Sequence, residues 1–497
     1  MEQDGFSARL RHAMDEAGLK QADLVRMASQ RGEKLGKSQL SQYVSGKVRP
    51  RQDSLALLAD LLGVTADWLE GQPEAREQAK PHVQVRNERE RPMREFKKSS
   101  KLDHVLYDVR GPVVDEAARM EAEGERILKL NIGNPAPFGF RTPDEVVKDM
   151  RQQLTDCEGY SDSRGLFSAR KAIMQYAQVK GLPNVQMEHI YTGNGVSELI
   201  QLSMHALLDD GDEILIPSPD YPLWTACATL AGGRPVHYLC DEQAEWYPDI
   251  DDMESKITDR TKALVIINPN NPTGAVYPRE VLEQIVEVAR RHQLMIFSDE
   301  IYDRLCMDGV EHVSIASLAP DLPCVTFSGL SKSHMIAGYR IGWMILSGNI
   351  RCMRDFLLGV NMLSNMRLCS NVPAQSIVQT ALGGYQSVET YVRPGGRVYD
   401  QRDFVYRALN EIDGITAVKP KAAFYIFPKI DVKKFNIHDD EQFALDLLHE
   451  KKILVTRGGG FNWEQPDHFR VVYLPRIDVL AECMDDLADF LSTYHQE

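Results

Sequence analysis

The stretch KALVIINPNNPTG, residues 262–274, decides the fold class of most of this 497-residue chain. Its apolar run ends in asparagine, proline and glycine, which is typical of a strand that is buried on both faces and closed by a turn. Similar runs occur at 213–219, EILIPSP, and 294–299, LMIFSD, and the amphipathic stretch 278–293 lies between two of the three. This alternation predicts βαβ units and a mainly parallel sheet. Ligands of such sheets bind at the carboxyl ends of the strands.

Outside the region with the sheet pattern, the composition and the apolar periodicity of the chain change twice. Residues 1–72 carry apolar side chains at helical spacing, so we expect a compact all-helical domain. Its first pattern consists of Phe6, Leu10, Ala13 and Ala17. Residues 73–101 are charged, punctuated by proline and without apolar periodicity, and we expect a flexible linker there. The end of the chain mixes strand and helix patterns, which indicates a second, smaller domain after the sheet.

The composition excludes several classes of function. A net charge of −15 argues against a protein that coats nucleic acid or an anionic membrane with its whole surface. The eight cysteines form no CxxC pair and no metal-ligand spacing, so we expect free thiols and no metal. The N-terminus lacks the apolar core of a signal peptide, and no long uncharged apolar run occurs. We therefore expect a cytoplasmic protein that does not bind a membrane.

Two cations lie close together in SGLSKSHMIAGYRIGW, residues 328–343, with no acid between them. Lys332 and Arg340 are surrounded by small residues, which let a ligand approach the backbone. A lysine beside another cation in a dry site loses proton affinity, and its neutral amine can form a Schiff base. Pyridoxal phosphate would satisfy both cations, because Arg340 could bind the phosphate bidentately while Lys332 bonds the aldehyde. A solvated surface lysine is the alternative.

The ring of pyridoxal phosphate requires partners, and the sequence offers candidates after two strand-like runs. Asp299 follows LMIF and could pair with the ring nitrogen, and Tyr302 could reach the phenolic oxygen of the ring. Asn271, in the proline-bounded turn NPNNPTG, could bond the same oxygen. Two alternatives stay open, a helix cap for Asp299 and plain turn chemistry for NPNNPTG.

A phosphate site is predicted at TGNGVSELI, residues 192–200, where a glycine-containing turn leads into a helical pattern. The amides of Gly195 and Val196 and the hydroxyl of Ser197 would face a phosphate at the positive end of the helix. One glycine-rich turn is weak evidence. Four such elements, each after a strand-like run, favour a single cofactor site.

These motifs carry a family resemblance. The chain from about residue 99 onward resembles the fold-type I, class I/II pyridoxal-phosphate-dependent aminotransferases, and among them the bacterial glutamate-pyruvate (alanine) aminotransferases most closely. The resemblance is carried by SSKLDHVLYDVRGP, LNIGNPAPFGF, IPSPDYPLW, NPNNPTGAVY, SDEIYD, SGLSK with GYRIGW, and NVPAQ. It implies an α/β fold with an N-terminal arm and part of a small domain at 102–147. A large cofactor-binding domain with a mainly parallel seven-stranded sheet would follow at 148–385, and the rest of the small α/β domain at 386–497.

The resemblance also implies the residues that hold the cofactor ring. Lys332 would be the Schiff-base lysine and proton shuttle, and Asp299 the partner of the ring nitrogen. Tyr302 and Asn271 would bond the phenolic oxygen, and Tyr221 in PSPDYP would stack on the ring. By this resemblance Lys332, Asp299 and Tyr302 are the catalytic residues.

Five further residues receive roles from the same resemblance. Arg340 and Ser197 would hold the phosphate, together with the glycine turn. Tyr160 in GYSDSRG would reach the phosphate of a neighbouring subunit, which implies a homodimer. Arg470 in HFRVVYL would clamp the α-carboxylate of the substrate, and Gly133 in NIGNP would contact it through the backbone. Together with the amide of the NPNNPTG turn they would form the substrate site; for Arg470 an exposed surface position is the alternative.

The sequence departs from the family pattern at two positions. Many relatives have serine three positions before the lysine, where this chain has Gly329, and Met335 stands where smaller residues are usual. One phosphate hydrogen bond is therefore expected to be missing, or to come from Ser331 or Ser328.

The resemblance implies transamination of L-alanine and 2-oxoglutarate to pyruvate and L-glutamate, whereas the residues alone argue only for a carboxylate clamp. A transcription factor that uses the aminotransferase-like domain to sense pyridoxal phosphate or an amino acid is the alternative from another class. A pyridoxal-phosphate lyase or decarboxylase is a third possibility, because aminotransferases, lyases and decarboxylases share the Schiff-base chemistry of a lysine such as Lys332.

The N-terminal domain contains a basic segment in an otherwise acidic chain, with six Lys or Arg and one Glu between residues 31 and 51. A helix on Leu40, Tyr43 and Val44 would turn Ser38, Gln39, Ser41 and Gln42 outward. Gln and Ser can bond base edges in the major groove, and lysines suit phosphates. A small helical interaction domain with a solvated polar face is the alternative.

SQLSQYVSGKVRP followed by SLALLADLLGVTADWLEG resembles the phage-repressor-like (Xre-type) helix-turn-helix family. The residues that this resemblance assigns to DNA are Gln21, Lys37, Ser38, Gln39, Gln42 and Lys47. ASQRGEKLGKS makes the link between the two helices longer than the usual tight turn. A dimer of the large domains would present two such units, so the predicted operator is an inverted repeat.

Overall fold

The structure, a computed structural model, describes residues 5–72, 95–103, 105 and 111–497. The chain divides into two compact units, Met1–Lys97 and Lys98–Glu497. Residues 73–94, most of the predicted linker, lie outside the described residues. Residue 104 and residues 106–110, within the quoted SSKLDHVLYDVRGP, lie outside them as well.

The first unit is all-helical over its described part, as the sequence predicts. Its helices are α1 (Gly5–Glu16), α2 (Gln21–Gln30), α3 (Lys37–Val44), α4 (Gln52–Leu62) and α5 (Ala66–Glu70). The side chains that meet in its core include Leu10, Leu24, Leu40, Leu58 and Leu69. One detail of the predicted pattern is wrong, because α1 ends at Glu16, Ala17 is exposed and Met14 is buried instead. Gly18, with φ of 64°, adopts the left-handed backbone that follows helix ends.

The second unit alternates helices and strands. Its helices are α6 (Pro112–Ala122), α7 (Asp144–Gln153), α8 (Phe167–Val179), α9 (Val196–Leu207), α10 (Leu223–Leu230), α11 (Ile250–Ser255), α12 (Arg279–His292), α13 (Leu330–Ser333), α14 (Arg354–Met366), α15 (Val372–Ser376), α16 (Val378–Gly383), α17 (Val388–Val392), α18 (Arg397–Glu411), α19 (Asp440–Lys451) and α20 (Ile477–Thr493). Its strands are β1 (Leu128–Lys129), β2 (Ile190–Gly193), β3 (Glu213–Ser218), β4 (Arg234–Asp241), β5 (Tyr247–Pro248), β6 (Thr261–Ile267), β7 (Met295–Asp299), β8 (Pro323–Gly329), β9 (Gly342–Gly348), β10 (Ile415–Thr416), β11 (Tyr425–Ile426), β12 (Lys429–Ile430), β13 (Ile453–Leu454), β14 (Thr456–Arg457) and β15 (Phe469–Val472).

Eight strands form one sheet in the order β2-β9-β8-β7-β6-β3-β4-β5. Neighbouring strands from β4 to β8 in that order are parallel, whereas β9 is antiparallel to both β8 and β2. The three apolar runs predicted from the sequence are β3, β6 and β7, and the amphipathic stretch is α12. The mainly parallel sheet is therefore confirmed. Its seven longer strands are extended by β5, a two-residue strand antiparallel to β4.

The sheet is buried on both faces, which explains its continuous apolar runs. Leu264 and Ile266 of β6 belong to one hydrophobic core, and the intervening Val265 and the following Ile267 belong to another. Successive side chains of a strand point to opposite faces, so each face needs apolar residues of its own. The polar side chains of Asp299 and Asn271 accordingly lie at the end of β7 and just beyond the end of β6.

A third core belongs to a smaller lobe that combines two distant parts of the chain. It joins residues 113–140 with residues 388–491, and Tyr302, Leu305, Met307 and Met335 of the intervening chain pack into it. Its strands form three small sheets, in which β1 pairs with β13, β10 with β12, and β15 with both β11 and β14. The register of β11 against β15 places Tyr425 opposite Val472, two residues from Arg470. The short strands β11 and β15 therefore hold an aromatic ring and a cation side by side.

The part of the chain that the structure describes bears on three exclusions made from the sequence. There, no helix combines the length and apolar composition needed to span a membrane. No group of three or more His, Cys, Asp or Glu side chains in those same ranges is arranged to hold a metal ion. All eight cysteines are free, and only Cys352 is exposed.

Candidate active site

A cavity of about 810 Å³ lies where the parallel strands of the large sheet reach their carboxyl ends. The chain segments that follow β3, β6, β7 and β8 each contribute a side chain to its wall. The predicted residues that line it are Gly133, Val196, Ser197, Tyr221, Asn271, Asp299, Tyr302, Lys332, Arg340 and Arg470. The structure thus brings together residues that lie up to 337 positions apart in the sequence.

Asp299 is the last residue of β7, and its carboxylate is 3% exposed. One oxygen accepts a hydrogen bond from the indole nitrogen of Trp224 at 3.3 Å, and the other accepts from the amide of Ile301 at 3.2 Å. Burial raises the pKa of this carboxyl to about 6, because removal from water disfavours the charged form. The bond to Ile301 resembles a turn cap, so both the local alternative and the predicted placement in the cavity describe Asp299.

Lys332 lies in the short helix α13, directly after β8. Its Nζ donates to the carbonyl oxygen of Gly133 at 2.7 Å and lies 5.9 Å from the centre of the Tyr302 ring. The side chain is half-buried and lines the cavity. The surface-lysine alternative is therefore wrong for this position.

The predicted phosphate site is assembled from the start of α9 and from Arg340. Gly195 precedes α9 with φ of 85°, and a Cβ atom added there would lie 2.3 Å from a terminal nitrogen of Arg340. That approach requires glycine both for its backbone angle and for its missing side chain. Arg340 itself adopts φ of 59° and donates to the carbonyl oxygens of Ala337, at 2.9 Å, and Asn194, at 3.1 Å. A guanidinium thus lies against the positive end of a helix.

The departure at Gly329 has a steric reason. A Cβ at this position would lie 2.8 Å from the carbonyl oxygen of Ile341, where β8 and β9 run side by side. A serine would therefore force the two strands apart. Ser331 lines the cavity, whereas Ser328 is 2% exposed and belongs to β8. Of the two hydroxyls considered from the sequence, Ser331 is the one on the cavity wall.

Arg470 is 2% exposed, so the surface alternative for it is wrong. Its guanidinium lies between two aromatic rings, 4.4 Å from the centre of Tyr425 and 4.5 Å from that of Phe461. One terminal nitrogen donates to the side-chain oxygen of Asn271 at 2.8 Å, and the other to the carbonyl oxygen of Asn131. Because rings cover both faces, hydrogen bonds form only along the guanidinium edge.

Three contacts of the site were missed by sequence reasoning, those of Tyr425, Trp224 and Asn131. The Tyr425 hydroxyl lies 2.7 Å from the Tyr302 hydroxyl, and a Cβ at Gly133 would lie 2.1 Å from the same oxygen. Tyr425 stands in KAAFYIFP, a stretch whose aromatic residues are equally typical of a hydrophobic core. Its position opposite the Arg470 strand is the signal that would have identified it, and that pairing is not readable from the sequence.

Tyr160 does not line this cavity. It is 83% exposed and lies beside a second surface hollow of about 570 Å³, together with Asn361, Asn365 and Leu368. The hydroxyl of Ser163 donates to Asn365 at 2.7 Å, which ties the Tyr160 segment to α14. The predicted role of Tyr160 in a neighbouring subunit stays a prediction.

In the N-terminal unit, α2 and α3 are separated by residues 31–36, which confirms the long link. Leu40 and Tyr43 are buried as predicted. Five of the residues assigned to DNA are exposed, namely Lys37, Ser38, Gln39, Gln42 and Lys47, whereas Gln21, the first residue of α2, is half-buried. The side-chain amide of Gln39 donates to the Tyr43 hydroxyl at 2.7 Å.

The chain was compared with known proteins. The family model "Aminotransferase class I and II" matches residues 125–483, and a helix-turn-helix domain model matches residues 6–70. The chain is 58% identical over 404 residues to glutamate-pyruvate aminotransferase AlaA of Haemophilus influenzae, covering 81% of this chain and 100% of that protein. It is 57% identical over 404 residues to an alanine aminotransferase of Mycobacterium tuberculosis, covering 81% and 94%. The crystal structure of an aminotransferase from Escherichia coli is similar with a TM-score of 0.80 and 56% identity, covering 81% of this chain and 100% of that one.

The raised pKa of Asp299 predicts a specific pH dependence of stability. An unfolded aspartate loses its proton near pH 4, whereas Asp299 in the ligand-free fold keeps its proton up to about pH 6. Since the folded state binds more protons between these values, this group makes stability fall as pH rises through that window. The Asp299→Asn variant should gain free energy of unfolding relative to the parent by about 3 kcal/mol between pH 4 and pH 7.

Urea unfolding of both ligand-free proteins at several pH values measures this difference. Replacement of the exposed Asp485 by asparagine is the matched control and should leave the parent's pH dependence unchanged. A difference between parent and Asp299→Asn that stays constant across this range would show that the carboxyl is not held in its neutral form by burial.

Proposed function

The chain belongs to the class I and II aminotransferases, and we propose that it transfers the amino group of L-alanine to 2-oxoglutarate, giving pyruvate and L-glutamate. Support for these substrates comes from the relatives named glutamate-pyruvate and alanine aminotransferase, which match four fifths of the chain at 57–58% identity. As in the rest of the family, the cofactor is pyridoxal phosphate. The names of these relatives also argue against the lyase and decarboxylase alternative.

The single observation that carries the proposal is the meeting of Lys332, Asp299 and Arg470 in one cavity. The residues fit the cofactor group by group. Asp299 is a buried acid that accepts hydrogen bonds from an indole and a backbone amide, so a protonated ring nitrogen would give it a cation as a direct partner. The start of α9 with Arg340 offers amide and guanidinium donors to a phosphate.

Pyridoxal phosphate, when bound, supplies an electron sink that stabilises negative charge at the Cα of the substrate. The protein has to place and move protons around that atom. We propose that Nζ of Lys332 accepts the Cα proton and later returns a proton to the cofactor side, as a general base and acid. The carboxylate of Asp299 keeps the ring nitrogen protonated. Tyr302 and Asn271, which line the cavity, would donate hydrogen bonds to the phenolic oxygen.

Substrate orientation is assigned to Arg470 and Gly133. A guanidinium that is covered on both faces presents one edge, and the α-carboxylate of an amino acid matches that edge bidentately. Asn271 already bonds one terminal nitrogen of Arg470, which keeps the guanidinium from rotating. Tyr221 would cover the face of the cofactor ring from the segment after β3.

We also propose that the protein is a homodimer. Leu358, Met362 and Met366 recur every four residues on α14 and are each more than half exposed, so they form an apolar stripe. Asn361 and Asn365 of the same helix line the hollow beside Tyr160, the residue assigned to the phosphate of a second subunit. A cytoplasmic location is proposed because all eight cysteines are free thiols.

A second function, DNA binding, is proposed for the N-terminal unit. It is supported by the helix-turn-helix match over residues 6–70 and by the exposed polar face of α3. In this proposal α3 enters the major groove, with Ser38, Gln39 and Gln42 near base edges. Lys37 and Lys47 contact phosphates, and Gln21 adds a phosphate contact at the start of α2. Two units on one dimer would bind an inverted repeat.

Replacement of Lys332 by alanine should remove the covalent attachment of the cofactor and lower turnover by about 10³-fold or more, because no other amine is placed at the Cα. Borohydride reduction with pyridoxal phosphate, followed by peptide mapping, should label position 332 in the parent. The exposed Lys148 is the control, and Lys148→Ala should be labelled and active like the parent. A parent that is labelled but releases no pyruvate from alanine would support the sensor alternative instead.

The Arg470→Lys variant should raise KM for both L-alanine and 2-oxoglutarate by about 10- to 100-fold, since an ammonium cannot replace a bidentate guanidinium edge. Steady-state kinetics with each substrate measure this effect. Arg476→Lys is the matched control, because Arg476 is 76% exposed and pairs only locally with Asp478. Equal KM values in the Arg470→Lys variant and the parent would remove Arg470 from the substrate site.

Gel-shift assays over genomic fragments test the DNA proposal, and the selected fragment should contain an inverted repeat. Lys47→Ala should then reduce the slope of log affinity against log salt by about one, because one phosphate contact is lost. Lys148→Ala, in the catalytic unit, should keep the parental slope. The absence of any shifted fragment at low salt would contradict DNA binding by this unit.

A further inference from the structure

Two tyrosine hydroxyls meet at the edge of the cavity. The oxygens of Tyr302 and Tyr425 lie 2.7 Å apart, and both residues are 3% exposed. Tyr302 belongs to the segment after β7, whereas Tyr425 begins β11 in the smaller lobe, 123 positions later. The pair therefore joins the segment after β7 directly to strand β11 at the cavity wall.

The number of protons limits what this pair can do. Each hydroxyl carries one proton to donate and two lone pairs to accept with. One proton lies between the two oxygens, and only the hydroxyl that accepts it keeps a proton for a third partner. If Tyr302 donated to Tyr425, it would have no proton left for the phenolic oxygen of the cofactor.

The surroundings favour donation by Tyr425. The guanidinium of Arg470 lies 4.4 Å from the centre of the Tyr425 ring, whereas the nearest cation over Tyr302 is Lys332 at 5.9 Å. A cation over an aromatic ring withdraws electron density and makes the hydroxyl a stronger donor. Arg470 keeps its charge at all physiological pH values, so this bias is permanent.

We propose that Tyr425 is a positioning residue that donates its hydroxyl proton to Tyr302 and thereby directs the Tyr302 proton to the phenolic oxygen of the cofactor. This inference rests on the proposed function, in which Tyr302 bonds that oxygen. The chain then runs from Tyr425 to Tyr302 to the cofactor, and hydrogen bonds in such chains strengthen one another.

The ring and the hydroxyl of Tyr425 make separate contacts. The ring covers one face of Arg470, and the hydroxyl bonds Tyr302. The Tyr425→Phe variant keeps the ring and removes only the hydroxyl. It should therefore leave carboxylate binding intact, so that KM for L-alanine changes by less than about twofold, while kcat falls by about three- to tenfold.

A spectroscopic measurement distinguishes positioning from mere structural support. A weaker hydrogen bond to the phenolic oxygen leaves more negative charge on the bound cofactor. The titrating group of the cofactor then holds its proton more tightly. The pH midpoint of its visible absorption band should rise by about 0.5 unit in Tyr425→Phe, and by more in Tyr302→Phe. In the Tyr302→Phe background, adding Tyr425→Phe should cause no further shift, because its acceptor is gone.

Tyr473→Phe is the matched control. This tyrosine is fully buried in the same lobe, but it does not line the cavity, and its hydroxyl donates to the backbone carbonyl oxygens of Ala422 and Ala423. Its loss should leave the absorption midpoint as in the parent. A midpoint in Tyr425→Phe equal to that of the parent, or an equal shift in Tyr473→Phe, would overturn the inference. Failure of the parent itself to bind the cofactor covalently would instead contradict the proposed function.

Discussion

A carboxylate buried at the end of a central strand is the constraint around which the site is arranged. Asp299 has little contact with water, and a neutral indole and a backbone amide are its hydrogen-bond donors. Such a group is unfavourable in its charged form until a cation faces it. The parallel sheet makes this position available, because β7 is covered on both faces and ends at the cavity. In the proposed function, the protonated ring nitrogen of the cofactor would be that cation.

The three cationic side chains that line the cavity make different contacts with the protein. Arg340 lies against a helix start with backbone carbonyl acceptors, Lys332 is bonded to a backbone carbonyl, and Arg470 is enclosed by two rings. None of these three contacts is an ion pair with a protein acid. In the proposed function these side chains meet three different ligand groups, a phosphate at Arg340, an aldehyde carbon at Lys332 and a carboxylate at Arg470. The two-lobed fold keeps them apart, since Arg470 comes from the smaller lobe and the others from the large sheet.

The sequence was sufficient for the strands that are long and buried on both faces, and for the side chains that follow them. β3, β6 and β7 were predicted from their apolar runs, and Asn271, Asp299 and Lys332 lie at the predicted strand ends. The sequence did not predict a role for Tyr425 in the site, because β11 has only two residues and therefore shows no periodicity. Its importance arises from pairings across more than a hundred positions, which no local pattern records. Ala17 was misplaced for the opposite reason, because a periodic pattern continued past a helix that Gly18 ends.

Gly133 and Tyr425 share one small volume. A methyl group on Gly133 would overlap the tyrosine oxygen, yet that same glycine accepts the hydrogen bond from Lys332. Substitutions at the two positions should therefore be strongly epistatic, with a side chain tolerated at 133 only where the ring at 425 has been made smaller. Directed evolution of this enzyme toward bulkier amino acids would need to randomise both codons together, because single-site libraries sample only clashes or cavities there.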